Sequence, residues 1–136
     1  MSGMTLKLKR KPLGENKTGL THVVVKLINS DSSEKYEADF LVDTGAYHAM
    51  APAAELKRIG IQPLGKNLYE LASGELQEFE YGSANLNFMG ETIGTRILFG
   101  PDGSEPILGV LALQGAGFIV DPPNERLRKL EPLPLK

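Results

Sequence analysis

Apolar residues along this chain fall into short runs, many alternating with polar ones, and turn signals interrupt them about every ten residues. Thr21 to Ile28 is rich in β-branched residues and predicts a strand. Asn29 to Ser33 is a turn signal, and Tyr36 to Val42 pairs back as a second strand ending at Asp43. Pro52 to Ile59 predicts a short helix: Pro52 suits its first turn, Leu56 and Ile59 share a face, and Gly60 stops it. Asn67 to Ala72 and Glu75 to Tyr81 predict a hairpin with Ser73-Gly74 at its tip. Ala84 to Met89 alternates as a half-buried strand, Gly90-Glu91 turns, and Glu91 to Phe99 returns. Gly100 to Glu105 is a loop and Ile107 to Val110 is apolar. Leu111 to Gln114 predicts one helical turn, and Phe118 to Val120 and Arg126 to Leu130 predict two last strands.

This pattern predicts an all-β fold with one short helix, a compact barrel or sandwich rather than a βαβ architecture. With 136 residues the chain makes one domain. Its boundaries are read as 19–131, after a flexible segment 1–18 and before a loose tail 132–136. A content of 41% hydrophobic and 24% charged residues is that of a globular protein with a real core. The net charge of −2 gives no reason to expect nucleic acid or an anionic membrane as partner. No cysteine is present, which excludes disulfides, thiolate catalysis and thiolate-bound metals. The basic stretch Lys7 to Lys11 is followed by no signal-peptide core, and no apolar run approaches the length of a membrane span. The expectation is a cytoplasmic protein.

The candidate chemistry lies at Phe40-Leu41-Val42-Asp43-Thr44-Gly45-Ala46. An apolar strand leads into a short turn that presents the Asp43 carboxylate. Asp, Thr and Gly all favour turns, so the tripeptide alone reads equally as a surface loop. Two features move the reading further: Phe40 to Val42 is a strand-like apolar run expected to be buried, and a second apolar-Gly element, Ile107-Leu108-Gly109, leads into another strand. Paired carboxylates about 3 Å apart share one proton, because like charges that close cannot both ionise. One then serves as base on a water and the other as acid on a carbonyl. Only one Asp-Thr-Gly turn is present, so if Asp43 works in such a pair the second carboxylate would have to come from a second copy of the chain.

In these residues the sequence resembles the retroviral-type (retropepsin-like) aspartic proteases, and it is similar to their small stand-alone bacterial and archaeal members. The resemblance covers roughly residues 20 to 130 in order. It rests on the Asp43 loop, Ala51-Pro52 with the helix ending at Ile59-Gly60-Ile61, Leu71-Ala72-Ser73-Gly74 as flap, Tyr81-Gly82 with Leu86 to Gly90, and Ile107-Leu108-Gly109-Val110 with Phe118 to Pro122. It implies a closed or partly open β-barrel active as a symmetric homodimer, each chain supplying one loop at the two-fold axis. It implies endopeptidase activity through a water between two copies of Asp43, with no metal or organic cofactor and a peptide or protein as substrate. Thr44 would bond across the axis, Gly45 would admit the substrate backbone, and Ala46, Tyr47, Ala72, Ser73, Gly74, Glu75 and Val110 would line the site. The rival expectation is the same dimer acting as a silent peptide-binding or dimerisation module.

The chain departs from the family's pattern in instructive places. Many retroviral enzymes pair an Asp two residues after the loop Gly with an Arg just after the Gly of the apolar-Gly element. Tyr47 and Val110 occupy those positions, so both charges are missing together and none is stranded. Packing of Tyr47 is the expected substitute brace. Ala46 stands where two-lobed pepsin-like enzymes carry a hydroxyl that bonds the carboxylate, which predicts activity reaching towards neutral pH. Glu70, Glu75, Glu78 and Glu80 read as solvated charge on an exposed hairpin, with a bias against acidic peptides or a pH-dependent flap as the functional alternative. His22 reads as a strand surface residue, and His48 as a structural residue near the active-site rim. Neither has metal-ligand spacing.

Overall fold

A computed structural model describes residues 21–121 and 126–130. The segment 1–18 and the tail 132–136 that the sequence sets apart lie outside the described residues. The chain is mostly β, with nine strands and two short helices among the described residues: β1 (Thr21–Ile28), β2 (Lys35–Val42), β3 (Ala49–Pro52), α1 (Ala53–Arg58), β4 (Gly65–Glu70), β5 (Leu76–Phe88), β6 (Glu91–Gly100), β7 (Ile107–Leu108), α2 (Val110–Gly115), β8 (Phe118–Asp121) and β9 (Arg126–Lys129). No described helix is long and apolar enough to cross a membrane.

The strands join into one seven-stranded sheet, β1-β2-β7-β3-β6-β5-β4, and β1 also pairs with β5, so the sheet closes on itself into a ring with β4 attached outside it. β1 and β2 form the expected hairpin, running from Thr21 opposite Val42 to Ile28 opposite Lys35. The short β7 is inserted between β2 and β3, parallel to the first and antiparallel to the second. β8 and β9 make a separate two-stranded sheet, tied back to β6 by the ion pair of Lys129 with Glu91.

The ring is filled from the alternating positions of its strands. Val25, Leu27, Phe40, Leu86, Ile97 and Leu108 are essentially inaccessible to water, and Leu56 of α1 and Leu113 of α2 close the core. Burial of each such side chain contributes about 1.5–3 kcal/mol. α1 is too short to stabilise itself. Pro52 fixes its entry at φ −57°, and the Asp102 carboxylate accepts the Ala54 N–H at 2.8 Å. Glu55 in the first turn and Lys57 and Arg58 in the last suit the helix dipole.

Three local expectations change. The turn at Leu111 to Gln114 is a second helix, α2, of six residues. Residues 49–51, read as no element, and Pro52, read as the first turn of the helix, form β3, and α1 starts one residue later. The stretches Glu75 to Tyr81 and Ala84 to Met89, read as two strands, are one continuous strand of 13 residues. The reason lies in its pattern. Gly82, Ala84, Leu86 and Phe88 are buried on the core side, whereas the first half buries Phe79 from the opposite side. The apolar positions change face part-way along β5, which breaks a period-two pattern without breaking the strand.

Candidate active site

Asp43 sits where β2 leaves the sheet. The ladder continues one residue past the strand, the Asp43 N–H donating to Leu108 O at 3.1 Å. Phe40 and Val42 point into the core, so alternation turns Leu41 and then Asp43 to the other face. The chain then folds back tightly. The Ala46 N–H donates to Asp43 O at 3.1 Å, and the Gly45 N–H donates to the Asp43 side-chain Oδ1 at 2.9 Å. A Cβ at Gly45 would lie 3.2 Å from that same oxygen. One carboxylate oxygen is thereby fixed by the loop itself. The other, Oδ2, is buried and has no hydrogen-bond partner in the single chain.

The loop after Asp43 is braced by backbone. The Val110 N–H donates to Ala46 O at 2.8 Å and the Leu111 N–H to Tyr47 O at 3.1 Å. Gly109 makes this possible: a Cβ there would stand 2.6 Å from both the Tyr47 and the His48 carbonyl oxygens. The expected brace is therefore corrected. Tyr47 is 72% exposed and packs on little, while the start of α2 holds the loop through main-chain bonds that depend on no side-chain charge. Thr44 and Gly45 are exposed, and Ala46 and Val110 are half-buried beside each other.

The other expected site residues lie at the tip of the β4–β5 hairpin. Ala72, Ser73, Gly74 and Glu75 are all exposed. Their turn is closed by its own bonds, Leu71 N–H to Glu75 O at 2.8 Å, Gly74 N–H to Leu71 O at 2.8 Å, and Glu75 N–H to the Ser73 hydroxyl at 3.3 Å. In one chain the loop residues 43–47 and Val110 come together, and among the described residues no hydrogen bond joins residues 72–75 to them.

The hairpin meets the loop lower down, through His48, read from the sequence as a structural residue near the rim, and through Tyr69 and Phe79, which the sequence reading did not select. The Tyr69 ring of β4 stands edge-on to His48 with ring centres 5.8 Å apart, and Phe79 follows at 6.1 Å from Tyr69. His48 is half-buried, and burial first and Arg96 second hold its pKa below the ordinary value, which favours the neutral ring. Its Nδ1 and the Tyr69 hydroxyl are buried without partners, as is Asp43 Oδ2. The available signal was the alternation of β4 and β5: Tyr69, Phe79 and Tyr81 share one face, opposite Glu70, Glu78 and Glu80. His22, by contrast, is an exposed residue 2.7 Å from Glu105, remote in role from this site. A shallow groove of about 480 Å³ between Lys66, Glu78 and Pro101 includes none of the Asp43 loop.

Compared with known proteins, the chain matches no protein-family model and no curated protein sequence.

Proposed function

We propose that the chain is a retropepsin-like aspartic endopeptidase that works as a symmetric homodimer, each subunit contributing one Asp43. The observation that carries this reading is Asp43 Oδ2. A buried, unpartnered carboxylate oxygen costs a fold about 1–3 kcal/mol or more and calls for a reason. Here it sits on a loop whose backbone is held firmly while its outer residues, Thr44 and Gly45, are left uncovered. A second loop and a water against that oxygen supply the missing partners. Tyr47 and Leu111, exposed at 72% and 43%, lie on the same loop and its brace, where a second chain would cover them. The ring-like sheet plays the part of the family's barrel.

In the dimer the two carboxylates share one proton. The ionised one takes a proton from the bound water as its oxygen attacks the peptide carbonyl carbon. The protonated one gives its proton to the carbonyl oxygen. The resulting tetrahedral diol collapses with cleavage of the C–N bond, and the leaving nitrogen receives a proton from the dyad. Thr44 bonds across the axis and fixes the spacing. Ala46, Tyr47 and Val110 form the floor, and residues 72–75 close over the peptide and exclude water.

The test is incubation of the dimeric protein with a complex peptide mixture at roughly pH 4 to 7.5, where such a pair operates, beside Asp43→Asn. Cleavage by the wild type alone supports the enzyme. Equal results from the two proteins, with peptides still retained, move the assignment to a peptide-binding module.

A further inference from the structure

The face that carries Asp43 also carries a cation in a prepared position. Across the sheet, Ile107, Met50, Leu98, Tyr81 and Gly65 stand in one row from β7 to β4. Ile107, Leu98 and Phe79 are buried without belonging to the main core, so this second face is apolar and aromatic in its own right. Arg96 lies one step along. Ala49 pairs with Ile97, which puts His48 level with Arg96 across β3 and β6.

Two contacts fix the guanidinium. Its carbon lies 3.8 Å from the centre of the Tyr81 ring. The Asn67 amide, oriented so that its nitrogen donates to Lys66 O, accepts from Arg96 Nη1 at 3.2 Å. Neither contact neutralises the charge. Among the described residues the ion pairs are made by His22, Arg58 and Lys129, not by Arg96. The nearby carboxylates Glu70, Glu78 and Glu80 point from the opposite face of the hairpin. A stacked arginine with a free edge, held beside aromatic rings, is prepared for a carboxylate: the fork binds it through two parallel bonds and loses little freedom in doing so.

We propose that Arg96 is a specificity-determining residue that receives an acidic side chain, Asp or Glu, of a peptide bound at the Asp43 site. The proposal rests on the peptide-site reading above and adds the class of side chain selected. It also reverses the bias that the hairpin glutamates suggest from sequence, because those glutamates face away. A lysine at the same peptide position is repelled by Arg96.

The experiment compares cleavage sites in one peptide mixture for the wild type, Arg96→Gln, Arg96→Lys and Arg96→Glu. The wild type is expected to favour Asp or Glu over Gln at one fixed position from the cut by about tenfold, the scale of a charge-assisted bidentate bond. Arg96→Gln loses that preference while still cutting peptides without the acid, Arg96→Lys keeps part of it, and Arg96→Glu turns towards Lys and Arg. An unchanged acidic preference in Arg96→Gln, or Asp43-dependent cleavage with no acidic preference in the wild type, overturns the proposal. If the wild type cleaves nothing, the peptidase reading fails separately. Retention of the same mixture on immobilised wild type and Arg96→Gln then decides: acidic enrichment lost with the variant supports the assignment, and equal retention overturns it.

Discussion

Residues 43–48 and residues 71–75 are both turns that carry candidate site residues, and they are held in opposite ways. The first is threaded against α2, with Gly109 so close that a Cβ would meet two carbonyl oxygens at 2.6 Å. The second is closed only by its own hydrogen bonds, and a Cβ on Gly74 would meet nothing within 4 Å. Leu68 and Leu76, diagonal neighbours in the hairpin, are 65% and 61% exposed. A carboxylate that must hold a fixed distance to its partner needs the first kind of support. A cover that must admit and release a chain is drawn from the second, where few buried contacts oppose opening. The two glycines thus serve different ends, one close approach and the other a left-handed turn at φ +88°.

The largest expected effect separates them directly. Gly109→Ala forces the Tyr47 and His48 backbone aside and should cost about 3 kcal/mol or more, in line with overpacking at a site that cannot relax. Gly74→Ala has space and bears only the left-handed conformation, a cost of about 1 kcal/mol. Urea unfolding of both variants checks the contrast, and equal losses would erase it. Replacing Leu68 and Leu76 by Ser comes next: each should change stability by no more than about 0.5 kcal/mol, with the change in peptide cleavage appearing in KM.

The join between the two regions gives a pH prediction. His48 has its pKa lowered in the folded chain, by burial first and by Arg96 second. The unfolded chain therefore binds the extra proton first as pH falls through about 6.5, the ordinary histidine value. The stability contribution is full above that value and is lost as pH drops towards the lowered one. His48→Phe should flatten the melting temperature against pH between roughly 5.5 and 7.5, and an unchanged slope would assign the effect elsewhere. Tyr69→Phe alters the fewest atoms. It removes a buried hydroxyl without a partner, so stability should hold or rise by up to about 1 kcal/mol, read as a shift in the urea midpoint.

Much of the fold was legible because it follows local rules. The hairpin of β1 and β2, the short helix after Pro52 and the turn at Ser73-Gly74 each carry their own signal. β3 did not, since Ala49 to Pro52 is four residues long and is defined by its neighbours β6 and β7. β5 was split because its apolar positions change face. At the site, the Asp43 turn was visible as a motif, whereas its brace was not: main-chain bonds from Val110 and Leu111 leave no trace in side-chain identity beyond Gly109. His48, in the loop just before β3, Tyr69 of β4 and Arg96 of β6 are brought together by the strand order β3-β6-β5-β4, which no local spacing encodes.

The most direct test of the proposed pairing of two Asp43 carboxylates is subunit mixing. Wild-type protein is held at fixed concentration, the Asp43→Asn variant is added and allowed to exchange, and the rate of peptide cleavage is followed. Because each mixed dimer contains one carboxylate, an equal amount of variant should lower the wild-type rate to about half, and an excess should extinguish it. A rate that stays constant however much variant is added would mean that one chain suffices, and would contradict the account.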